Sequence, residues 1–239
     1  MRQIIWIILL FAIPSFSQDL PTIKSIVENV SDQYDKVDDY SVKIKMSIQM
    51  PMFRMPRKRI DMYFKKPDKL KIESDGFAVV PKSGLTMSPD MFLKHLNSTT
   101  ITLAEDGGYL VSGQVHADSL DFPIAVGDDD SLSVTISIHV KADPWIIDNV
   151  TAQLDTVTVF TIRSEYEEVE EDIWLPIFTE MDITFPDFGH GISGQRGPAQ
   201  ILEISKEPSK FGKITIIYSK YKVNRGIKDS FFNDADKFF

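Results

Sequence analysis

The strongest constraint on the fold is a strict alternation of apolar and polar side chains that begins at residue 41. Every second residue from Val42 to Met50 is apolar, which is typical of a strand with one buried face. The same period returns in two further segments before residue 74, on either side of a Pro67-Asp68 turn. With residues 51–56 as a connector, residues 41–74 are therefore predicted to form a three-stranded antiparallel meander with one apolar face.

Two segments have the helical period instead. From Thr22 to Tyr40, apolar residues recur every three or four positions, which predicts an amphipathic helix. A second, shorter helix is predicted to start at Ser88-Pro89-Asp90, because a hydroxyl cap, an early proline and an acid all favour a helix N-terminus. Its apolar stripe consists of Met91, Phe92, His95 and Leu96.

The rest of the chain is predicted to form mostly strands. They are predicted near residues 99–103, 109–115, 132–140, 145–154, 156–168, 173–185, 201–205 and 213–223, with an acidic turn within Glu165–Asp172. Residues 117–130 and 186–200 are predicted to be irregular. Helix, meander, helix and further strands together predict an α+β protein built on an antiparallel sheet.

The N-terminus has the features of an export signal. A basic start precedes an unbroken apolar run, Ile4–Ile13, and small residues precede Gln18, so residues 1–17 are predicted to be a cleaved signal peptide. Residues 18–239 would then be one domain of 222 residues with a net charge of −10. No other segment approaches the roughly 18 apolar residues of a membrane span, so the mature protein is expected to be soluble.

Composition argues against several classes of function. The acidic balance makes nucleic acid a poor partner. The chain has no cysteine, which excludes disulfides, thiolate zinc sites, cysteine nucleophiles and a lipidated N-terminal cysteine. We therefore expect neither a cofactor nor a metal.

The motifs that suggest catalysis are incomplete. Gly189–Gly194 matches G-x-G-x-x-G but is not followed by a helical segment, and Gln195 stands where G-x-S-x-G needs a glycine. The triplet Asp128–Asp130 lacks the spacing of a calcium loop. No two histidines have zinc-ligand spacing, and His139 lies on the polar phase of its strand, where a surface position is expected. A hydrolase would require distant histidines and acids to meet in one pocket.

Five of the nine methionines lie between residues 46 and 62. Three interpretations remain open: ordinary core filling, an adaptable surface that contacts lipid, and soft ligands for Cu(I). They are Met46, Met50, Met52, Met55 and Met62.

Several short phrases follow the predicted signal peptide in order and cover most of the mature chain. They are Lys36–Ser41 after the first helix, Tyr63–Ser74, Trp145–Asp148, Trp174–Pro176, and Tyr221–Asn224 followed by Asp229 and Phe231. Taken in this order, they make the chain resemble the periplasmic lipoprotein-carrier superfamily, which includes LolA, LolB and the lipid-binding domain of RseB.

The resemblance implies a curved, incomplete β-barrel whose concave side is covered by helices, with an apolar hollow that holds acyl chains. It implies a monomeric, non-enzymatic periplasmic carrier that passes lipoproteins or other lipids between membrane-anchored donor and acceptor proteins, toward the outer membrane. The residues expected to line the hollow are Val42, Ile44, Met46, Ile48, Ile60, Met62, Phe64, Leu70, Ile72, Met91, Phe92, Val134, Ile136 and Ile138.

Two departures accompany this resemblance. Residues 117–130 and 186–200 are insertions relative to a minimal carrier, and Arg59 lies on the polar phase, so it does not take the role of the arginine that holds the lid of the family carrier. The alternative function is a periplasmic regulatory protein that senses lipid or mislocalised protein with the same fold.

Overall fold

The computed structural model describes residues 20–50, 53–74, 91–116, 133–185 and 210–233. The predicted signal peptide, the start of the second helix and both irregular segments lie outside these residues. The elements in chain order are α1 (Ile23–Asp35), β1 (Asp39–Met50), β2 (Phe53–Lys65), β3 (Lys69–Ser74), α2 (Met91–Lys94), β4 (Asn97–Leu103), β5 (Tyr109–His116), β6 (Ser133–Ala142), β7 (Trp145–Leu154), β8 (Val157–Glu170), β9 (Ile173–Phe185), β10 (Lys210–Val223) and a 3-10 helix, Asp229–Phe232.

The ten strands form one antiparallel sheet in the order β3-β2-β1-β10-β9-β8-β7-β6-β5-β4. Neighbours in the sheet are neighbours in the chain except at one point, where β10 pairs with β1. The two edge strands, β3 and β4, do not pair with each other within the described ranges, so the sheet is open. The predicted α+β class with an antiparallel sheet is confirmed.

Helix α1 is shorter than the sequence predicts. Its N-terminus has the expected cap, since the Thr22 side chain accepts a hydrogen bond from the Ser25 N–H at 3.2 Å. The helix ends at Asp35, however, and not at Tyr40. The apolar period continues to Val37 because that side chain packs with Leu175 and Val223 in a small separate cluster. Among the described helices, none is long and apolar enough to cross a membrane.

Several strands are longer than predicted, and two of them replace segments that were predicted to be a connector or a turn. The expected connector at residues 51–56 gives way to β2 from Phe53 onward, and the register slips between Met46 and Ile48 opposite this part of β2. A bulge of this kind tolerates a proline such as Pro56 within a strand. Likewise β8 continues to Glu170, so the acidic segment is mostly strand and only residues 171–172 make the turn.

One face of the sheet, called the inner face below, carries an apolar row across eight of the ten strands. Because side chains of paired antiparallel residues lie on the same side, the register defines an unbroken apolar row across eight neighbouring strands. The row is Ile48, Ile214, Met181, Ile162, Val150, Ile138, Val111 and Ile101. This face receives the apolar side of α1, since Ile26 and Val30 are buried in the cluster formed with β5–β9.

The junction between the start and the end of the chain is held by Asp39. This carboxylate is 3% exposed and accepts hydrogen bonds from the backbone N–H groups of Arg225, Gly226 and Ile227 at 3.0, 2.9 and 3.2 Å. Asn224 completes the junction, because its side chain accepts from the Asp38 N–H at 2.8 Å and donates to the Lys36 carbonyl at 2.8 Å.

The residues after β10 also hold the β2–β3 turn. Asp229 bridges Lys65 and Lys69 at 2.6 and 2.7 Å, and these two ammonium groups lower the pKa of Asp229 to about 2. Phe231 packs edge-on against Tyr63 and lies under the Lys71 ammonium, 4.1 Å from the ring centre. The phrases that carry the sequence resemblance at both ends of the chain therefore meet at one end of the sheet.

Replacing Asp39 tests whether this junction stabilises the fold. Asp39→Asn places an amide N–H₂ group against backbone N–H donors, so we expect a loss of about 2–4 kcal/mol in the free energy of unfolding, measured by urea denaturation. Asp38→Asn is the matched control, because it removes the same charge from the neighbouring residue, whose side chain is exposed. Equal stability of the two variants would contradict the role given to Asp39.

Candidate functional site

The inner face carries two separate buried clusters. The β1–β2 cluster consists of Val42, Ile44, Met46, Ile48, Ile60 and Met62, with Ile216 of β10. The larger cluster joins α1 and α2 to strands β5–β9 and contains Phe92, Val134, Ile136 and Ile138. Among the described residues, Met50 and Ile214 alone pack against both clusters. No helical side chain of the described residues belongs to the β1–β2 cluster.

The structure therefore divides the residues predicted to line one hollow. Those on β1 and β2 share the first cluster with the partly buried Leu70 and Ile72 of β3, whereas those on β6 and α2 share the second. Phe64 is buried but packs on Tyr40, with 5.2 Å between ring centres. The side chain of Met91 lies outside the described residues. Of the five clustered methionines, Met46 and Met62 are buried and Met50 is partly buried.

Between the two clusters, the inner face of the central strands is partly exposed. Ile162, Met181 and Ile214 belong to the apolar row, yet each keeps intermediate exposure, while Ile48 and Val150 on either side are buried. In a closed core, the middle of a sheet is the best covered part. The open part of this face thus lies over β8, β9 and β10.

Aromatic and hydroxyl side chains border this open part. Tyr166 on β8 and Tyr218 on β10 lie on the same face as the apolar row, with the Ser164–Thr179 hydroxyl pair, 3.0 Å apart, between them. Tyr221 packs against Tyr40 and Tyr218 with ring centres 5.9 and 6.4 Å apart. These four tyrosines, Tyr40, Tyr166, Tyr218 and Tyr221, are called the tyrosine group below.

The tyrosine group is deep inside the protein and still accessible. Desolvation by surrounding protein raises the pKa of all four hydroxyls well above the ordinary value of 10.0, so they stay protonated hydrogen-bond donors. Each ring nevertheless keeps intermediate exposure.

The four hydroxyls differ in their hydrogen bonds. Tyr221 donates to the Pro176 carbonyl at 2.7 Å, and the Tyr218 hydroxyl lies beside the Thr179 side chain. Within the described residues, the hydroxyls of Tyr40 and Tyr166 have no hydrogen-bond partner. Since no fully buried side-chain oxygen or nitrogen there lacks a partner, the oxygens of these two hydroxyls keep some exposure to solvent.

The sequence-based choice of site residues missed the β8–β10 part of the face. Its signal was present in the alternation of Phe160, Ile162, Ser164 and Tyr166, and of Ile214, Ile216 and Tyr218. Both strands were predicted, but their place in the middle of the sheet follows from the β1–β10 pairing, which no local pattern indicates.

The outer face carries the charges. His139 was expected to be an ordinary surface residue, but its side chain is only 20% exposed and lies between two carboxylates. Its Nδ1 is 2.5 Å from Asp148, and its Nε2 is 3.1 Å from Asp106. Desolvation alone would lower the pKa of His139, but the hydrogen bonds and charges of Asp148 and Asp106 outweigh it and raise the pKa.

This cluster brings distant histidine and acid residues together without forming a catalytic triad. It borders an outer-face depression of about 670 Å³ that Arg163, Ser164, Phe178 and Glu180 also line. Both ring nitrogens of His139 face carboxylates, so neither is free to act as a general base, and the Ser164 hydroxyl bonds Thr179 instead. In the described ranges no group of three or more histidine and acidic residues has the geometry of a metal site.

A second charge network ties the central strands together on the outer face. Arg163 bonds Glu180 at 2.8 Å and also Asp182, while Lys213 lies 3.0 and 3.2 Å from the same two carboxylates. The hydrogen bonds from Arg163 and Lys213 lower the pKa of Glu180. The network joins β8, β9 and β10 and keeps their outer face polar.

Comparison with known proteins finds likenesses of fold only. The sequence matches no protein-family model and no curated protein. The fold is similar to a putative outer membrane lipoprotein-sorting protein domain from Vibrio parahaemolyticus, with 9% identity, a TM-score of 0.48 and coverage of 89% of this chain and 98% of that chain.

Two further solved structures are similar over comparable lengths. A LolA superfamily protein from Nitrosomonas europaea has 11% identity and a TM-score of 0.45, covering 89% of this chain and 98% of that chain. A DUF1329 family protein from Desulfovibrio piger has 13% identity and a TM-score of 0.43, covering 88% and 96%. These likenesses concern the fold and not the function.

The histidine cluster predicts how stability changes with pH. Because the folded-state pKa of His139 is raised above 6.5, the protonated imidazole contributes to the free energy of unfolding in full below pH 6.5. This contribution is lost as the pH rises through the folded-state pKa. His139→Gln should therefore destabilise the protein more at pH 5.5 than at pH 9, as measured by urea denaturation. His95→Gln, at an exposed histidine, is the control and should show no such difference.

Proposed function

We propose that the protein is a non-enzymatic binding protein that holds acyl chains of lipoproteins or other lipids over the inner face of its open sheet. The observation that carries the proposal is the partly exposed apolar centre of this face at Ile162, Met181 and Ile214, between two buried clusters. A partly exposed apolar surface suits an apolar ligand, because burying both surfaces removes them from water.

The size of the apolar row fits a chain-like ligand. The open part of the row crosses three neighbouring strands spaced about 4.8 Å apart, so it is about 10 Å across and would contact one segment of an extended acyl chain. Each buried methylene contributes about 0.8 kcal/mol, so a dozen contribute up to about 10 kcal/mol before the cost of ordering the ligand. Binding would need no catalytic group, and release would need only the opening of this surface.

The residues predicted from the sequence keep a role in this proposal. The β1–β2 cluster and the β6 residues form the buried walls on either side, and Ile162, Met181 and Ile214 form the contact surface between them. We also propose that helices cover the concave side. Ile26 and Val30 of α1 pack over the β5–β9 cluster, and the ring centre of Tyr34, near the end of α1, lies 6.4 Å from that of Phe64 on β2.

The cellular setting is part of the proposal. An apolar run followed by small residues supports export through a cleaved signal peptide, and the lipoprotein-carrier phrases support a periplasmic location. A monomeric protein in this compartment would take lipid from a membrane-anchored donor and pass it to an acceptor on the way to the outer membrane. The alternative, a sensor of lipid or mislocalised protein, would use the same binding surface.

A pair of isoleucines on one strand tests the proposed surface. Ile214 lies on the inner face of β10 and Ile217 on its outer face, opposite Lys45 and Phe178, and both are partly buried. Ile214→Asn should weaken the binding of a fluorescent fatty acid about tenfold, since one apolar contact of about 1.4 kcal/mol is lost. Ile217→Asn should leave binding unchanged in the same fluorescence titration.

Both variants are compared only after circular dichroism and denaturation show that they fold. Wild-type protein that takes up no fatty acid, and carries no lipid in native mass spectrometry after purification from the periplasm, would refute the binding function. Equal weakening by both variants would refute the inner face as the site.

A further inference from the structure

We propose that the tyrosine group is a polar subsite that binds the ester or amide carbonyls of an acylated ligand, with Tyr166 and Tyr40 as the donors. This inference rests on the proposed function and specifies its ligand class. A ligand held here would have carbonyl groups next to its chains, as diacylglyceryl lipids and acylated lipoproteins have, and would not be a plain hydrocarbon.

The position of the tyrosines supports a subsite at one end of the apolar surface. Tyr166 pairs across β8–β9 with Pro176, whose carbonyl already accepts the Tyr221 hydroxyl. Tyr218 stands across from Ile44 on the same face, and its hydroxyl lies beside the Thr179 side chain. On β8, Ile162 of the apolar row is followed on the same face by Ser164 and then by Tyr166. A chain bound along the row and the carbonyl group attached to it would therefore lie next to each other.

The hydrogen-bond inventory selects two of the four hydroxyls. The Tyr221 hydroxyl donates to the Pro176 carbonyl and the Tyr218 hydroxyl lies beside the Thr179 side chain, whereas those of Tyr40 and Tyr166 have no hydrogen-bond partner in the described part of the chain and keep some exposure to solvent. A phenol hydroxyl donates one hydrogen bond, and a carbonyl oxygen accepts it without bringing a charge into the site. An exclusively apolar ligand would leave these donors without an acceptor, which is unfavourable.

The test compares two ligands that differ only in the carbonyl groups. Dioleoylglycerol has two ester carbonyls, and the dioleyl glycerol diether has the same chains without them. Wild-type protein should bind the diester more tightly. Tyr166→Phe and Tyr40→Phe, which remove only the hydroxyl, should each weaken diester binding about three- to tenfold and leave diether binding unchanged.

Tyr109→Phe is the matched control, because this tyrosine stacks on Trp145 at the far end of the same face, with 5.7 Å between ring centres. It should leave the affinity for both ligands unchanged. Binding of neither ligand by wild-type protein would refute the proposed function itself. Equal binding of both ligands, unaltered by Tyr166→Phe and Tyr40→Phe, would refute the carbonyl subsite while leaving acyl-chain binding intact.

Discussion

Asp39 stands where the first strand of the sheet meets the last, and its carboxylate binds backbone groups 186 to 188 residues further along the chain. Pairing of β1 with β10 is the one non-consecutive contact in the sheet, and it places the meander β1–β3 beside the meander β4–β10. Without this contact, the two apolar clusters would belong to separate sheets. Closing so long a loop is entropically costly, so the charge-assisted hydrogen bonds of Asp39 and the clamp of Asn224 act where stabilisation is most needed.

The position of β10 also explains why the middle of the inner face is the open part. The β1–β2 cluster is built from strands close in sequence, and the β5–β9 cluster is covered by α1 and α2. Strand β10 lies between them, and its Ile214 touches both clusters while retaining partial exposure. A surface between two independently formed cores need not be filled by either, and this is where the proposed ligand surface lies.

Local sequence patterns predicted most of the strands but not the order in which those strands pair in the sheet. The alternation from Val42 to Met50 defined β1 and its buried face, because a period of two directly reflects one-sided burial. The same reasoning wrongly extended α1 beyond Asp35. Val37 continues the apolar period of the helix, but it does so because its side chain packs on residues of β9 and β10. Likewise, no local signal places Tyr166 near Tyr221, because the two meet only after β9 has been inserted between their strands.

An open inner face costs stability, and the central strands offset that cost on their other side. Backbone pairing on both edges of β8, β9 and β10 and the network of Arg163, Glu180, Asp182 and Lys213 hold these strands without requiring complete apolar burial. Such exposed ion pairs contribute modestly each and more as a network. Burial of the exposed apolar surface, which a filled core would have achieved on folding, can then contribute to the free energy of ligand binding. A ligand that binds only the folded state stabilises it by an amount that grows with the logarithm of the ligand concentration relative to Kd, so ligand binding and folding of the central strands would be thermodynamically linked.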